Sequence, residues 1–263
     1  MEQAGGWAEV ERVIAQGEAG GIVLGVSARR PGGERFSHNG ARRFVAASTV
    51  KIAIMIELFR QRDAGLVRLD TLHRLRPEDR TTGSGVVSQL HDGIELSLAD
   101  HAFLMMSISD NASTNILIDR VGMDRVNAIL RSLGMAGSTL GRRMRGSHAD
   151  EAETENWAVP DDYVRAVEAL FDGGAGTPAA CADMLRLLEA QQNDRRIARH
   201  LPREGRPRWG SKTGSLPGVV NDVGFIMTEG GPLILAVFCE DVADPNEGER
   251  LIGDIAKALL FQV

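Results

Sequence analysis

Aromatic side chains make up only 5% of the 263 residues. That is too few for the stacking surfaces on which carbohydrate or unpaired nucleic-acid bases are usually held. Cysteine is scarcer still. Cys181 and Cys239 lie far apart, one in a helical pattern and one in a strand pattern, without metal-like spacing, so two separate buried thiols are expected. The six histidines (His38, His73, His91, His101, His148 and His200) form no H-x-x-H or H-E-x-x-H set. Neither a metal site nor a cofactor is therefore expected. Excess positive charge is missing as well. A net charge of −6 argues against nucleic acid or an anionic membrane as partner. No apolar run is long enough to span a bilayer. The N-terminus (Met1-Glu2-Gln3 through Glu9 and Glu11) is acidic with no apolar segment behind it, which reads as cytoplasmic unless an export signal has been removed. The sequence is silent on oligomeric state.

Lysine is the last scarcity and the most informative. Of 30 basic residues only Lys51, Lys212 and Lys257 are lysine; the rest are arginine, which cannot give up its proton and act as a base. Lys51 stands in Ala46-Ala47-Ser48-Thr49-Val50-Lys51, the opening of an apolar helix that runs through Phe59 to a glycine stop at Gly65. Residues three apart share a helix face, so Ser48 Oγ and Lys51 Nζ are expected to meet. The unpaired N–H groups at a helix start favour a developing alkoxide on Ser48, and they disfavour an ammonium at Lys51. The apolar run behind adds desolvation, which also favours the neutral amine. A neutral lysine beside a serine is a nucleophile with its own base. The plainer reading makes Ser48 an N-cap and Lys51 a solvated first-turn residue.

Around this stretch the patterns are regular. Trp7, Val10, Val13 and Ile14 mark a first amphipathic helix, and residues 21–28 and 34–38 a strand hairpin. Ser97-Leu98-Ala99-Asp100 resembles a capping box, opening a buried helix to Ile108. Helical patterns follow at 112–121, 124–133, 160–171 and 179–191, with a long polar loop from Arg142 to Val159 between them. After Pro202 come strands at 208–214, 221–228 and 233–240, then a helix at 249–261. The fold class is α+β. One antiparallel sheet flanked by the terminal helices (residues 1–46 and 205–263) should carry an inserted all-helical lobe (residues 47–204).

Two further short motifs stand out. Ser109-Asp110-Asn111 breaks a core helix, as either a cap or a site. Lys212-Thr213-Gly214 lies on a strand, where Gly214 permits close approach by a ligand. S-x-x-K, S-D-N and K-T-G in this order, 61 and 103 residues apart, resemble the class A β-lactamase branch of the penicillin-recognising serine hydrolases. The resemblance covers nearly the whole chain and implies a serine β-lactamase/penicillin-binding-protein-like fold. It also implies that Ser48 is acylated, with Lys51 as its base. Ser109 would relay a proton to the leaving nitrogen, held near the cationic Lys212, and Asn111 would bind the substrate amide side chain. Thr213 and Ser215 would face the substrate carboxylate, with Gly214 between them and the oxyanion hole formed by the N–H groups of Ser48 and Ser215.

The chain departs from that family in its loop, where Ala152 stands four residues before Asn156 and the nearby acids are Glu151, Glu153 and Glu155. Glu155 is the favoured water-activating base. Beyond K-T-G, Asn221-Asp222 replaces the arginine that often helps hold the carboxylate, and Asp222 would repel a carboxylate if it faced inward. The implied function is hydrolysis of a β-lactam, or of a related amide or ester, through an acyl-enzyme. A cytoplasmic esterase or amidase, or a slowly deacylating penicillin-binding protein or covalent sensor, uses the same motifs. A Ser-His-Asp hydrolase is disfavoured because G-x-S-x-G is absent.

Overall fold

The structure, a computed structural model, describes residues 7–260. The expectations for Met1–Gly6 and for Phe261 fall outside these residues. Helix α1 (Ala8–Ala19) precedes a hairpin of β1 (Val23–Arg29) and β2 (Arg35–His38). A short β3 (Phe44–Val45) enters a 3-10 turn (Ala47–Val50) that continues directly as α2 (Lys51–Asp63). Then come β4 (Leu72–Arg74), β5 (Glu95–Ser97), α3 (Leu98–Ser107), α4 (Asn111–Val121) and α5 (Met123–Ser132). After the long loop follow β6 (Trp157–Ala158), α6 (Pro160–Asp172) and α7 (Pro178–Glu189). The chain closes with β7 (Trp209–Leu216), β8 (Val219–Thr228), β9 (Gly231–Glu240) and α8 (Pro245–Leu260).

The main sheet is antiparallel with strand order β2-β1-β9-β8-β7. Both of its faces are covered, and β9 shows how one strand serves two cores. Leu233, Leu235, Val237 and Cys239 face the terminal helices, while Ile234, Ala236 and Phe238 face the helical side. Cys181 and Cys239 are free and belong to different cores. Gly25 on β1 makes room for an aromatic plug. A Cβ there would lie 2.3 Å from Phe44, whose ring packs on Phe238 at 5.9 Å. That plug seats β3, and β3 delivers the 3-10 turn to the sheet.

We keep the two-lobe division as a proposal, with one correction to "all-helical". Inside its second span, α6 lies against β1, β8 and β9, and the short strands β4, β5 and β6 punctuate the helices. The capping box at Ser97 forms as expected, Ser97 Oγ accepting from the Asp100 N–H and the Asp100 carboxylate from the Ser97 N–H. Among the described residues, no helix is long and apolar enough to cross a membrane. Nor do they contain a group of three or more His, Cys, Asp or Glu able to hold a metal ion.

His101 on α3 is buried, with its Nδ1 3.0 Å from Ser113 Oγ on α4 and its ring edge-on to His73. Burial, assisted by His73, pushes its pKa down from 6.5 to about 4. The unfolded chain therefore takes up a proton near pH 6.5 that the folded chain refuses until about pH 4. Stability should fall through that window by an amount on the order of 3 kcal/mol and level off below it. Denaturant titrations from pH 7 to 4 should show a shallower decline in His101→Gln than in wild type. Equal slopes would show that His101 is not the source.

Candidate active site

Ser48 lies in the 3-10 turn, not at an N-cap; no side-chain cap bond is made there, and Lys51 opens α2 one turn later. Its N–H is among those that a helix start leaves without an intrahelical partner. Ala47, just before it, holds a left-handed backbone (φ 46°), and Ser109 does the same (φ 61°). In non-glycine residues that geometry costs energy and persists where surrounding contacts hold it. Gly214 explains part of the holding. A Cβ at this position would come within 3.0 Å of Ala46 O and 3.2 Å of Ser48 N. Its missing side chain thus admits the turn that carries Ser48.

Lys51 is wholly buried, because the first nine residues of α2 are. Its Nζ does not reach Ser48 by a hydrogen bond. It donates to Ser109 O (2.7 Å), Ser109 Oγ (3.0 Å) and Asn111 Oδ1 (2.9 Å). Burial, with Lys212 adding to it and Asp110 opposing, lowers its pKa well below the usual lysine range. Once neutral, Nζ has a lone pair for a serine proton. The Ser-Asp-Asn triplet both caps α4 and bonds Lys51. Asp110 caps α4 through the Ser113 N–H and also accepts from Val86 N and Val87 N. Asn111 turns its amide to Lys51 and to Thr82 O (2.9 Å). The Thr82-Gly83-Ser84-Gly85 stretch packs here because its glycines allow it: a Cβ on Gly83 would strike Asn111 Nδ2 at 2.5 Å, and one on Gly85 would strike Asp110 at 2.2 Å.

On β7, Lys212 is fully buried and donates to Thr213 O (2.9 Å), with no hydrogen bond to Ser109 among the described residues. Ser109 is thus bonded to Lys51, whose amine lies close enough to Lys212 to feel its charge. Burial lowers the Lys212 pKa to about 7, Asp222 opposing the shift and Arg196 adding to it. Thr213 stands opposite Asp222 in the β7–β8 register, and Ser215 opposite Val220, so Thr213, Ser215 and Asp222 share a sheet face. Asp222 has the Arg196 charge beside it. It is buried and accepts from Ile197 N; burial raises its pKa to about 6, and the adjacent Arg196 charge holds it from rising further.

Arg196 is the residue that sequence reasoning missed. It is buried, and it donates to Gly214 O (2.9 Å), Asn221 O (2.7 Å) and Ser215 Oγ (2.6 Å), with Glu249 at 3.3 Å. It brings a guanidinium to the Thr213–Ser215 end from the segment before β7 rather than from the strand after it. The signal in the sequence was the pair Arg195-Arg196, which no spacing rule distinguishes from a solvated surface.

Two arms of one cleft meet at this point. The arm holding Ser48 has a volume of about 280 Å³ and is bordered by Asn111, Arg142, Met144, Arg145 and Asn156, without a carboxylate among its lining residues. The other arm, of about 650 Å³, runs from Ser109, Thr213 and Ser215 past Arg196 to Gln192 and Glu249. Glu155, expected as the water-activating base, is elsewhere. Arg142 grips it at 2.9 and 3.2 Å, and Ala149 N and Asn156 N donate to it at 2.8 and 2.7 Å. Burial raises its pKa, but these donors outweigh that and leave it below the ordinary carboxylate value. A carboxylate so occupied is a fastener for the loop. Asn156 does the same job, its Oδ1 accepting from Gly141 N and Arg142 N while its carbonyl accepts from Ala46 N beside the nucleophile.

Residues 7–263 match the sequence pattern of the beta-lactamase enzyme family. Among curated proteins, beta-lactamase BRO-1 of Moraxella catarrhalis is 24% identical over 87% of this chain and 72% of its own length. A beta-lactamase of Rhodobacter capsulatus is 27% identical over 92% of this chain and 84% of its own. Among solved structures, a beta-lactamase from Sphaerobacter thermophilus superposes with a TM-score of 0.95 at 53% identity, covering 97% of this chain and 96% of the other. The structure of PBP-A shares the fold at a TM-score of 0.85 and 22% identity, covering 95% and 94%.

The Lys212 charge is present below its pKa of about 7 and lost above it. Attraction of an anionic substrate should weaken accordingly, giving kcat/KM an alkaline limb near neutrality. Lys212→Arg, which stays charged, should move that limb upward. A limb that stays in place would assign it to another group.

Proposed function

Because the chain belongs to the beta-lactamase enzyme family, we propose that its cleft opens β-lactams by the class A serine route, through an acyl-enzyme on Ser48. The observation that carries this is a fully buried lysine, one turn past the serine, hydrogen-bonded to Ser109 and Asn111. Ser48 Oγ attacks the lactam carbonyl carbon as its proton passes to neutral Lys51. The N–H groups of Ser48 and Ser215 receive the oxyanion. The C–N bond breaks, and Ser109 hands the lysine's proton to the departing nitrogen. Asn111 holds the acyl amide, while Thr213 and Ser215, the latter braced by Arg196, hold the carboxylate under the charge of Lys212.

Hydrolysis of the ester then needs water and a base. With the Ser48 arm lined by no carboxylate and Glu155 tied to Arg142, Lys51 is the base for this half-reaction too. It takes the water's proton as the water attacks the ester carbonyl, and that proton returns to Ser48 Oγ as the C–O bond breaks. One amine serving both steps makes the lifetime of the acyl-enzyme depend on the neutral fraction of Lys51.

Intact mass spectrometry after mixing with a penicillin or a cephalosporin should show a transient adduct in wild type and none in Ser48→Ala. Lys51→Arg should acylate about 10²–10⁴-fold more slowly, the usual share of general base catalysis. Undiminished acylation in Lys51→Arg would remove Lys51 from the base role. Glu155→Gln should melt at a lower temperature, having weakened a buried ion pair, while its acyl-enzyme decays at the wild-type rate. An acyl-enzyme trapped in Glu155→Gln would restore the carboxylate as base.

A further inference from the structure

We propose that the larger arm of the cleft is a subsite for a second acidic group, carried on the leaving-group side of the substrate and received by Arg195. This rests on the β-lactam reading above and narrows its substrate class.

Four guanidiniums border the cleft of a chain whose net charge is −6. Three of them are spent. Arg142 is engaged by Glu155 and by the carbonyls of Arg143 and Ser147. Arg145 is engaged by Glu153, Asp150, Ser147 Oγ and His148 O. Arg196 is engaged by two backbone carbonyls, Ser215 and Glu249. Arg195 differs. Its side chain is 65% exposed, only its Nε faces Glu249 (3.3 Å), and its two terminal amines make no hydrogen bond among the described residues.

The acids nearby do not cancel this charge. Glu249 is shared with Arg196 and Asn193, and Asp194 pairs with Arg206 at 3.2 Å. Gln192, exposed on the same wall, has an amide with no side-chain hydrogen bond among the described residues. The arm therefore presents unspent donors beyond the place where Thr213 and Ser215 would hold the ring carboxylate. At about 650 Å³ against about 280 Å³, it is also the roomier end of the cleft, which suits a bulky substituent there. A carboxylate or sulfonate reaching this wall meets a guanidinium with free N–H groups, whereas an uncharged substituent gains nothing from Arg195. Because the pair is exposed, its worth is modest and screened by salt.

The test uses two cephalosporins with the same acylamino group, one with an uncharged and one with a sulfonate-bearing substituent on the ring side away from it. The second-order rate of Ser48 acylation is read by intact mass in wild type, Arg195→Gln and Arg195→Glu, each checked for folding by its melting curve. Wild type should favour the sulfonate about 3- to 5-fold at low salt, the size expected of an exposed ion pair, and high salt should erase the preference. Arg195→Gln should abolish it and Arg195→Glu reverse it. If either variant fails to fold, Arg195→Lys should keep the preference and the wild-type salt dependence decides. A neutral substrate that acylates as fast as the sulfonate, or a preference that survives Arg195→Gln or high salt, overturns the subsite and leaves the β-lactam reading standing. Acylation by neither compound overturns both.

Discussion

A fully buried amine underlies this site. Lys51 is buried because α2 is apolar on nearly every side, and burial penalises its ammonium form and lowers its pKa well below the usual lysine range. Much of the neighbouring architecture keeps that amine satisfied without recharging it. Ser109 and Asn111 supply neutral acceptors within 3.0 Å, whereas Asp110, the nearest acid in that triplet, spends its oxygens on backbone N–H groups. Had Asp110 and Asn111 exchanged places, a carboxylate at hydrogen-bond distance would hold the lysine charged. The left-handed Ser109 and the glycines at 83 and 85 follow from bringing this triplet under the helix start.

A second constraint acts at the other end of the cleft. Lys212, Asp222 and Arg196 are all buried within one small region, where the Arg196 charge lowers the pKa of both the others. Isolated, any one of them would be expensive to desolvate. Together they offset one another, with Arg196 bonded to the Gly214 and Asn221 carbonyls of the adjoining strands β7 and β8.

The loop between α5 and β6 shows where reading residues in order fails. Glu155 looked like a base because it adjoins Asn156. Both side chains turn out to bind the loop's own backbone and Arg142, which fixes the loop against Ala46. Nothing in the local sequence separates an acid aimed at a cleft from one aimed at an arginine thirteen residues earlier. Arg196 was invisible for the complementary reason. Its partners Gly214, Ser215 and Asn221 come from strands that meet it only after folding.

The sequence by itself determined what periodicity and chemical identity can carry. It gave the two-sided strands around a helical middle, the capping box at Ser97, the separate thiols, and the Ser48–Lys51, Ser109–Asn111 and Lys212–Gly214 motifs. These depend on residue type and on spacing within one element, where geometry repeats every 2 or 3.6 residues. The tertiary structure decided which atoms those residues touch. It directed Lys51 to Ser109 and Asn111, filled the space at Gly214 with the Ser48 turn, bound Glu155 to Arg142 and brought in Arg196. Contacts between elements distant in the chain depend on how sheet and helices pack, and no pattern within a single element encodes them.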